Sequence, residues 1–479
     1  MKLQSFVFSS DCCEREELYY RADGGVFPDG ESAVLAPGAE LETDTYMNAF
    51  DASFWSSHCA VGRWGLEVLA CGSASLALLR RKGGRCFPCD SAVISCETPE
   101  RVVLSPRAGE AGRYFLRVRA ESETRLLSAA FFSQEAPRSP QIRLGAAICT
   151  FHRGEMLAKN LGVLRASRFF AEGDALSGRL QIHVVDNGSE LPSEDSPSFR
   201  VFRNPNTGGS GGFARALSEF RLRQTELSLT HVVFMDDDVE LIAESFYRLH
   251  AFLSYLNESE ADTVVAGRMF RYDERHVQYT AAEIWNGGEL RHVGLNCDMT
   301  DPASLEKMND SSGAEYGGWW FCCYPMRFAM ENEPMPFFLH CDDVEYGLRH
   351  GGTPLILNGV QVWHETYEYR QSALMRYYDT RNPLFVNERY PSPESDPQAV
   401  YERWFRALTE LHVKKDYRGE YMMIAAMWDY LKGTDFLSGG AALRRSRELA
   451  EKQSFSRWEN ALLRRLAAAK YHRRFSTHD

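Results

Sequence analysis

A hydrophobic run that ends in three aspartates constrains the fold of this chain more than any other feature. Residues 231–240 read HVVFMDDDVE, and the apolar part is typical of a strand buried in a parallel sheet. The aspartates then follow the carboxyl end of the strand, where ligands bind in open α/β sheets. Carboxylates at positions i and i+2 can hold one divalent cation, which suits a diphosphate ligand. The alternative is an acidic turn that caps a helix over residues 241–256.

The periodicity of the chain changes twice, which predicts three domains in 479 residues. Residues 1–138 contain short alternating strands and are predicted to form a β-sandwich or barrel. A Pro-punctuated linker leads into residues 142–388, predicted to be a doubly wound α/β domain, and residues 389–479 are predicted to be helical. The predicted strands are 33–35, 66–70, 75–79, 101–104, 114–118, 144–149, 182–185 and 200–202, with a helix over 155–170.

The composition limits the classes of partner. The net charge of −12 argues against nucleic acid, since phosphate neutralisation needs a basic surface. No apolar stretch approaches the ~20 residues that span a bilayer, and the start of the chain lacks a signal-peptide pattern, so a cytoplasmic location is expected. The segment 456–474 groups apolar residues near one face with arginines elsewhere, namely Trp458, Leu462, Leu463, Leu466 and Ala467. It is predicted to be a packing helix, with peripheral membrane contact or partner docking as the alternative.

Two residue clusters in the N-terminal part have competing interpretations. Cys86 and Cys89 form a CxxC pair that could supply half of a zinc site with Cys12 and Cys13, although most of the twelve cysteines are expected to be buried thiols. The second cluster is aromatic and is expected to be core, with sugar contact as the alternative: Tyr46, Phe50, Phe54 and Trp55.

A glycine-rich motif and a strand-end aspartate add candidate donor-binding groups. Residues 204–213 read NPNTGGSGGF and precede a helical run over 214–223, so they predict either a phosphate cradle or a flexible loop. The motif lacks a P-loop lysine and the dinucleotide spacing, which disfavours ATP hydrolysis and NAD chemistry. Asp186 ends a predicted strand, where it could bind a base or ribose or simply form a turn.

A second acidic group follows a hydrophobic approach at residues 336–349, PFFLHCDDVEYGLR. One of Asp342 and Asp343 is expected to cap the helix over 344–349, leaving the other as a candidate general base. His364 follows strand-like residues 354–357, either as a core residue or as a metal ligand. Trp319 and Trp320 would point to opposite faces of a strand, so one is expected in the core and one in the crevice.

The ordered motifs resemble the inverting family-two glycosyltransferases with a GT-A fold, and are most similar to bacterial galactofuranosyltransferases that extend cell-wall galactan. The residues that resemble this family are CTFHR (149–153), VDNG (185–188), NTGGSGGF (206–213), FMDDD (234–238), GWWF (318–321), CDDVEYGLR (341–349), WH (363–364) and, in the N-terminal part, TYMNAFDASFW (45–55). The chain departs from the family at Thr207, at Cys341 and in its C-terminal part.

The resemblance implies a mixed doubly wound sheet and assigns site residues. Asp236, Asp238 and His364 would bind Mn²⁺ or Mg²⁺, and Asp343 would be the catalytic base. The residues that would bind the UDP-sugar donor are Thr150, Arg153, Asp186, Asn206, Gly208, Gly209 and Asp237. Those on the acceptor side would be Trp319, Trp320, Asp342 and Glu345.

The predicted activity is therefore metal-dependent, inverting transfer of a sugar onto a hydroxyl of a cell-surface glycan. The resemblance favours galactofuranose from UDP-galactofuranose, a glycan or lipid-linked glycan as acceptor, and a possible homo-oligomer at the inner membrane face. Two alternatives stay open: a sugar nucleotidyltransferase, and a catalytically silent carbohydrate-binding or scaffold protein. A donor hydrolysis assay separates these three activities.

Overall fold

The computed structural model describes residues 1–106, 110–366, 372–438 and 440–475. Each of the three predicted domains includes some residues outside these ranges. The described chain is a mixed α/β protein with two large sheets and a helical C-terminal region.

The N-terminal part is a ten-stranded, nearly closed, barrel-like sheet with antiparallel pairing. Its elements are β1 (Lys2–Ser5), β2 (Arg21–Asp23), β3 (Val26–Asp29), β4 (Ser32–Leu35), β5 (Glu40–Glu42), β6 (Phe50–Asp51), α1 (Ala52–His58), β7 (Trp64–Lys82), β8 (Arg85–Leu104), β9 (Arg113–Ala120) and β10 (Thr124–Ser133). The strand order is β2-β5-β9-β7-β10-β4-β3, with β1 on β10, β6 on β9 and β8 on β7. Of the two predicted architectures, sandwich or barrel, the structure has a barrel-like sheet, with helix α1 between β6 and β7.

The structure corrects the predicted strand boundaries around β7. Segments 66–70 and 75–79, predicted as two strands, belong to one strand, and 101–104 is only the end of β8. Gly72 explains the difference because its φ of +113° bends the strand without ending it. A Cβ at this position would lie 2.4 Å from the carbonyl oxygen of Glu123, so the close approach of the backbone requires glycine.

The N-terminal aromatic cluster is core. All four of its side chains are buried: Tyr46, Phe50, Phe54 and Trp55. The rings of Phe50 and Trp55 stack at 5.7 Å, and the Tyr46 hydroxyl lies 3.2 Å from Oε1 of Gln361 in the central part of the chain. The core interpretation is confirmed, and the alternative of sugar contact is wrong because these rings have no accessible face.

The central part is a second ten-stranded sheet with helices. Its elements are β11 (Leu144–Thr150), α2 (Gly154–Arg165), β12 (Leu180–Asp186), β13 (Asp195–Ser196), β14 (Phe199–Arg203), α3 (Gly208–Leu222), α4 (Gln224–Leu227), β15 (His231–Asp236), α5 (Ala243–Tyr255), β16 (Val265–Arg271), β17 (Val277–Thr280), β18 (Glu283–Asn286), β19 (Glu289–His292), β20 (Cys297–Asp298), α6 (Pro302–Leu305), β21 (Cys322–Pro325), α7 (Met326–Glu331), α8 (Asp342–His350) and β22 (Leu355–His364). The hairpin of β18 and β19 is separate from this sheet.

Parallel and antiparallel pairs are mixed in this sheet. Strands β14, β12, β11 and β15 are parallel, β21 lies antiparallel between β15 and β16, and β22 pairs in parallel with β16. The predicted strands at 144–149, 182–185 and 200–202 are confirmed, whereas α2 ends at Arg165 and is shorter than the predicted helix 155–170. After α2 the chain forms turns that bury Phe169 in the core.

The C-terminal region is helical, as predicted. Its helices are α9 (Ala373–Arg389), α10 (Pro397–Val413), α11 (Tyr417–Tyr430), α12 (Ala441–Glu451) and α13 (Arg457–Phe475). Phe337 of the central part shares one hydrophobic cluster with Phe385 of α9 and Tyr430 of α11. The predicted boundary at 388 and 389 falls at the end of α9 and stays a prediction.

The buried face of α13 differs from the predicted one. Ala467 and Tyr471 are buried, whereas Trp458, Leu462 and Leu466 are 81%, 60% and 47% exposed. The face that packs against the protein consists of Asn460, Ala467 and Tyr471. The larger apolar residues therefore lie on the opposite side of the helix. Within the described ranges, no helix combines the length and apolar character needed to cross a membrane.

Candidate active site

Three parallel strands of the central sheet end side by side. Thr150 at the end of β11 pairs with Asp186 at the end of β12, and Cys149 pairs with Asp236 at the end of β15. Burial raises the pKa of the Cys149 thiol, and the charge of Asp237 is the next largest cause. Three further carboxylates raise the same pKa, and they belong to Asp236, Asp342 and Asp186. Acidic groups that are distant in sequence therefore converge at the carboxyl edge of the sheet.

Asp236, Asp238 and His364 form a candidate metal-binding group. The Nε2 atom of His364 lies 3.2 Å from Oδ1 of Asp238 and 3.7 Å from Oδ2 of Asp236. Asp238 and His364 are buried, while the side chain of Asp236 is 38% exposed. The group therefore combines two ligands held inside the protein with one that is open to solvent.

The imidazole of His364 is oriented by the backbone. Its Nδ1 atom lies 2.7 Å from the carbonyl oxygen of Glu365, which assigns the ring proton to Nδ1 and directs Nε2 at the two carboxylates. The strand that holds this residue is longer than predicted, because β22 continues through His364 rather than ending at residue 357. Parallel pairing with β16 aligns His364 with Arg271 and extends β22 to the edge of the site.

The donor set fits Mg²⁺ or Mn²⁺. Two ligands at right angles on such an ion, each about 2.1 Å from it, are roughly 3 Å apart. The two distances from His364 Nε2 to the carboxylates, 3.2 and 3.7 Å, are close to this separation. Carboxylate oxygens favour hard divalent cations, and an imidazole nitrogen is compatible with Mn²⁺.

Arg153 pairs with the second and third aspartates of the triplet. Its Nη1 atom lies 2.7 Å from Asp238 and 3.2 Å from Asp237, while 44% of its side chain stays exposed. Burial and then the charge of Asp238 raise the pKa of Asp237, whereas the Thr150 hydroxyl and Arg153 lower it. Nδ2 of Asn160 donates to the carbonyl oxygens of Asp237 and Val239 and so fixes this turn.

The glycine motif forms the first turns of a helix, not a loop that precedes one. Helix α3 begins at Gly208 rather than at the predicted residue 214, so the N–H groups of its amino end lie within the motif. Gly208 has a φ of +73°, and a Cβ there would lie 1.9 Å from the carbonyl oxygen of Phe338. A Cβ on Gly209 would lie 3.9 Å from the carboxylate of Asp342. Oδ1 of Asn206 accepts a hydrogen bond from the Gly208 amide.

Asp186 has a clear role in a turn. Its Oδ1 accepts from the amide of Gly188 at 2.9 Å and its Oδ2 from the amide of Leu191 at 2.7 Å. The carboxylate is buried and uses both oxygens to order the chain after β12. These contacts support the turn interpretation, and its role in donor binding stays a prediction.

Asp342 and Asp343 open helix α8. Desolvation raises the pKa of Asp343 to about 7, and the charge of Asp342 raises it further. Desolvation also raises the pKa of Asp342, while the Ser210 hydroxyl lowers it. Asp342 is buried, whereas the side chain of Asp343 is partly exposed. The Asp343 carboxylate is therefore the accessible group whose pKa suits proton transfer near neutral pH.

Among the proteins of known function, two mycobacterial enzymes are similar to this chain. Galactofuranosyltransferase GlfT2 of Mycobacterium tuberculosis is 25% identical over 449 residues, which are 86% of this chain and 68% of that enzyme. The enzyme of the same name from Mycolicibacterium smegmatis is 25% identical over 395 residues, covering 75% of this chain and 59% of the relative. This chain is galactofuranosyltransferase-like. The resemblance to galactofuranosyltransferases that the motifs indicate is therefore confirmed, and so is the predicted class of enzyme, a glycosyltransferase.

Other comparisons add no argument about this galactofuranosyltransferase-like chain. No protein-family model matches it. A carbohydrate-binding module of Cellvibrio mixtus lichenase 5A with cellotriose matches 28% of this chain and 100% of that chain, with a TM-score of 0.20 and 12% identity. Protein A197 from STIV matches 47% of this chain and 87% of that chain, with a TM-score of 0.27 and 16% identity. Scores this low support no conclusion about fold or ligand.

All four residues predicted on the acceptor side are buried, including Asp342. The Glu345 carboxylate is fully buried and pairs with Arg349, with Tyr390 3.2 Å away, because its position in α8 faces the protein interior. Trp319 and Trp320 lie in a turn rather than a strand, and neither is more than 4% exposed. The expectation that one tryptophan faces the crevice is therefore wrong, whereas acceptor contact by Glu345 stays a prediction, which its burial disfavours.

The two tryptophans pack in different cores. Trp319 stacks on Phe234 at 4.3 Å, beneath the strand that ends in the aspartates. Nε1 of Trp320 donates to the carbonyl oxygen of Gly267 at 2.7 Å. Both side chains support the sheet below the site, which is a structural use of the aromatic motif.

Several site residues escaped the sequence prediction. Asn160 holds the aspartate turn, and Glu283, a buried residue of β18, contributes to the raised pKa of Asp343. Arg381 and Asn382 of α9 donate to the backbone just before α8. None of these residues has a motif around it, so only their three-dimensional contacts identify them. Cys86 and Cys89, which could have supplied half of a zinc site, belong to no candidate metal group of the described residues.

Proposed function

We propose that this chain is a metal-dependent, inverting glycosyltransferase with a GT-A fold, which transfers galactofuranose from UDP-galactofuranose to a hydroxyl of a cell-surface glycan. The main supporting observation is the convergence of Asp236, Asp238 and His364 with the Asp342–Asp343 pair at one edge of the sheet. The sequence similarity to galactofuranosyltransferases supports the choice of donor and reaction class. The mixed sheet, with its parallel half leading to the acidic edge, is consistent with a GT-A fold.

Donor binding is proposed at the ends of β11, β12 and β15. Asp236, Asp238 and His364 would hold Mn²⁺ or Mg²⁺, which when bound neutralises negative charge on a leaving diphosphate. The partly exposed guanidinium of Arg153 can turn from the aspartates toward phosphate oxygens. At the start of α3, the Gly209 amide is proposed as a further donor to an anion, since Gly209 has no side chain to block it. Local groups thus compensate for the net charge of −12.

Asp343 is proposed as the general base. The acceptor hydroxyl gives its proton to the Asp343 carboxylate while its oxygen forms a bond to the anomeric carbon of the sugar. The bond between that carbon and the diphosphate oxygen breaks, and UDP leaves with the electron pair. One displacement of this kind inverts the anomeric configuration. Two observations support a base next to the proposed phosphate side: the charge of Asp342 raises the pKa of Asp343, and a Cβ on Gly209 would lie 3.9 Å from the Asp342 carboxylate.

The experiment is a donor screen by mass spectrometry with a short galactan-like acceptor. The wild-type chain should add sugar from UDP-galactofuranose in the presence of Mn²⁺, with inverted configuration in the product. Replacing the base, Asp343→Asn, should lower transfer by roughly 100-fold or more while calorimetry still detects UDP binding. Asp262→Asn, at an exposed aspartate outside the site, is the matched control and should transfer normally.

Each alternative gives a different result in this screen. Formation of UDP-sugar from a sugar phosphate and UTP would identify a nucleotidyltransferase instead. Glycan binding without turnover of any donor would identify a silent carbohydrate-binding protein. Transfer that survives Asp343→Asn would reject the assignment of the base.

We also propose peripheral contact with a membrane through α13, which suits a lipid-linked acceptor. The exposed apolar stripe, Trp458, Leu462 and Leu466, lies on a helix that also exposes basic residues. Those basic residues are Arg457, Arg465 and Arg473. Apolar side chains flanked by cations favour an interface with anionic lipid, where each basic residue contributes about 1 kcal/mol.

A further inference from the structure

The backbone just before the acidic pair adopts an unfavourable conformation. In the segment 337–341, Phe338, His340 and Cys341 have φ values of 77°, 63° and 66°. Side-chain-bearing residues rarely adopt this left-handed region, so the conformation persists only where surrounding contacts impose it. Because Cys341 is the last residue before α8, the segment sets the direction in which Asp342 and Asp343 enter the site.

Helix α9 supplies these contacts through two fully buried side chains. Nδ2 of Asn382 donates to the carbonyl oxygen of Leu339 at 2.6 Å and to that of His340 at 3.0 Å. Nη2 of Arg381 donates to the carbonyl oxygen of Phe337 at 2.5 Å. Three of the five carbonyl groups of the segment are therefore held by neighbouring residues of one helix.

The amide of Asn382 is itself held in one orientation. Its Oδ1 accepts from Nε of Arg381 at 2.8 Å, which assigns Nδ2 to the carbonyls of the segment. Nη1 of Arg381 donates to the Tyr377 hydroxyl at 3.1 Å, and that hydroxyl donates to Asp429 at 2.9 Å. A buried hydrogen-bond network thus extends from α11 through α9 to the strained segment.

The opposite side of the segment contacts the proposed phosphate side of the site. The amide of Ser210 donates to the carbonyl oxygen of Phe338 at 3.4 Å, and Gly208 has no room for a Cβ against the same oxygen. The segment is therefore clamped between α9 and the start of α3. A displacement of about 1 Å in such a position can cost about 100-fold in rate.

We propose that Asn382 is a positioning residue for the Asp342–Asp343 pair. It acts through the backbone of Leu339 and His340, which it holds in the conformation that aims α8 at the donor edge of the sheet. The inference rests on the proposed function in so far as Asp343 is the base of that reaction. The buried carbonyl oxygens of Leu339 and His340 both accept from Nδ2 of Asn382, so loss of this donor leaves two acceptors of the segment without it.

The test replaces that donor by an oxygen of the same size, in Asn382→Asp. The expected result is a fall in kcat of roughly 10- to 100-fold with the donor KM and UDP affinity changed by less than about threefold. The candidate metal-binding group belongs to other elements, the ends of β15 and β22 and the turn after β15. Asn387→Asp is the matched control, because it is a buried asparagine of the same helix that bonds to Gly287 and Trp285 instead, and it should keep normal turnover.

Hydrogen exchange gives a readout that does not depend on any sugar transfer. In Asn382→Asp, the amides of residues 338–344 should exchange at least about tenfold faster than in the wild type, with no change in Asn387→Asp. Unchanged exchange at these amides overturns the proposal whatever happens to kcat. A wild type that transfers no sugar from any donor rejects the proposed function, while the exchange result still decides the positioning role. Should Asn382→Asp not fold, Tyr377→Phe removes a single hydroxyl of the network and should produce a smaller effect of the same kind.

Discussion

At the scale of single residues, the environment of each carboxylate decides what it can do. Asp236 and Asp238 face an imidazole nitrogen at distances that suit a shared cation, whereas Asp343 sits beside another carboxylate in a desolvated place. The first arrangement stabilises negative charge on a ligand, and the second favours a carboxyl that gains and loses a proton near neutral pH. The same side-chain chemistry therefore supplies both proposed roles.

The rate of transfer should depend on the protonation of Asp343. Its pKa is raised to about 7, so below that pH the carboxyl is protonated and cannot accept a proton. We expect kcat/KM to rise tenfold per pH unit up to about pH 7 and then level off. Asp342→Asn removes a like charge, which lowers the pKa of Asp343. The rising part of the pH profile should therefore move to lower pH.

The measurement is a pH–rate profile with saturating Mn²⁺ and acceptor. Asp262→Asn, which removes an exposed carboxylate outside the site, serves as the control and should leave the rising part of the profile at the same pH. If the rising part of the profile stayed at the same pH or moved to higher pH in Asp342→Asn, Asp342 and Asp343 would not titrate as the structure implies.

Replacement of His364, a proposed metal ligand, should remove most of the stabilisation by Mn²⁺. An ion that binds only the folded state stabilises it by about 2.7 kcal/mol at a concentration 100 times its Kd. The wild-type Tm should therefore rise with Mn²⁺ and fall back with chelator, and His364→Gln should lose most of that rise. His350→Gln, whose ring contacts the carbonyl of Asp262 away from the site, should respond to Mn²⁺ as the wild type does. An equal rise in Tm for His364→Gln would contradict the ligand assignment.

At the scale of elements, the sequence predicts the strands that are buried on both faces. It does not predict the element boundaries that depend on the conformation of a glycine. Strands β11, β12 and β15 have near-continuous apolar sequences because both faces are covered, so the sequence alone locates them. The bend at Gly72 and the helix start at Gly208 depend on atoms of Glu123 and Phe338, which are distant in sequence. No local pattern could have predicted either contact.

The candidate site was predictable to a similar degree. The candidate metal-binding group follows from motifs at strand ends, and the structure brings its three members together. The burial of Glu345 could not be predicted because a helix of nine residues buries one face, and the sequence does not say which carboxylate faces the core. The contacts of Asn382 could not be predicted because its carbonyl partners belong to a loop without a motif.

The exposed stripe on α13 should determine lipid binding. Replacing Trp458, Leu462 and Leu466 by serine removes most of the apolar area that this helix presents to solvent, without touching its buried face. We expect flotation with anionic vesicles to fall at least about fivefold relative to the wild type. Serine at three other exposed apolar residues, Phe27, Leu222 and Leu290, is the matched control and should float normally. Equal flotation of the two variants would reject the role of this helix.

At the scale of the whole molecule, the N-terminal sheet and the central part share buried contacts. One hydrophobic cluster extends from Leu3 in β1 to Trp363 in β22. In α5, Glu244 accepts from the amide of Ser5 at 2.7 Å, and Arg248 donates to the carbonyl oxygen of the same residue at 2.9 Å. The backbone of β1 thus completes its hydrogen bonds with a buried ion pair of the central part. The division at residues 138 and 142 is a change of architecture within one packed body.

These shared contacts predict that the two parts unfold together. Arg248→Ala leaves Glu244 buried without its cation, which should cost about 3–5 kcal/mol. The ion pair also holds β1, so its loss should affect both sheets. The temperature at which peptides lose protection from exchange should fall by the same amount for β7 and for β12. Thermal hydrogen exchange with mass spectrometry measures both sets in one sample. Arg119→Ala, at an exposed pair with Glu40, is the control and should leave both unchanged. If β7 lost protection at one temperature and β12 at another, the two parts would be independent domains and the shared core would contribute little to either.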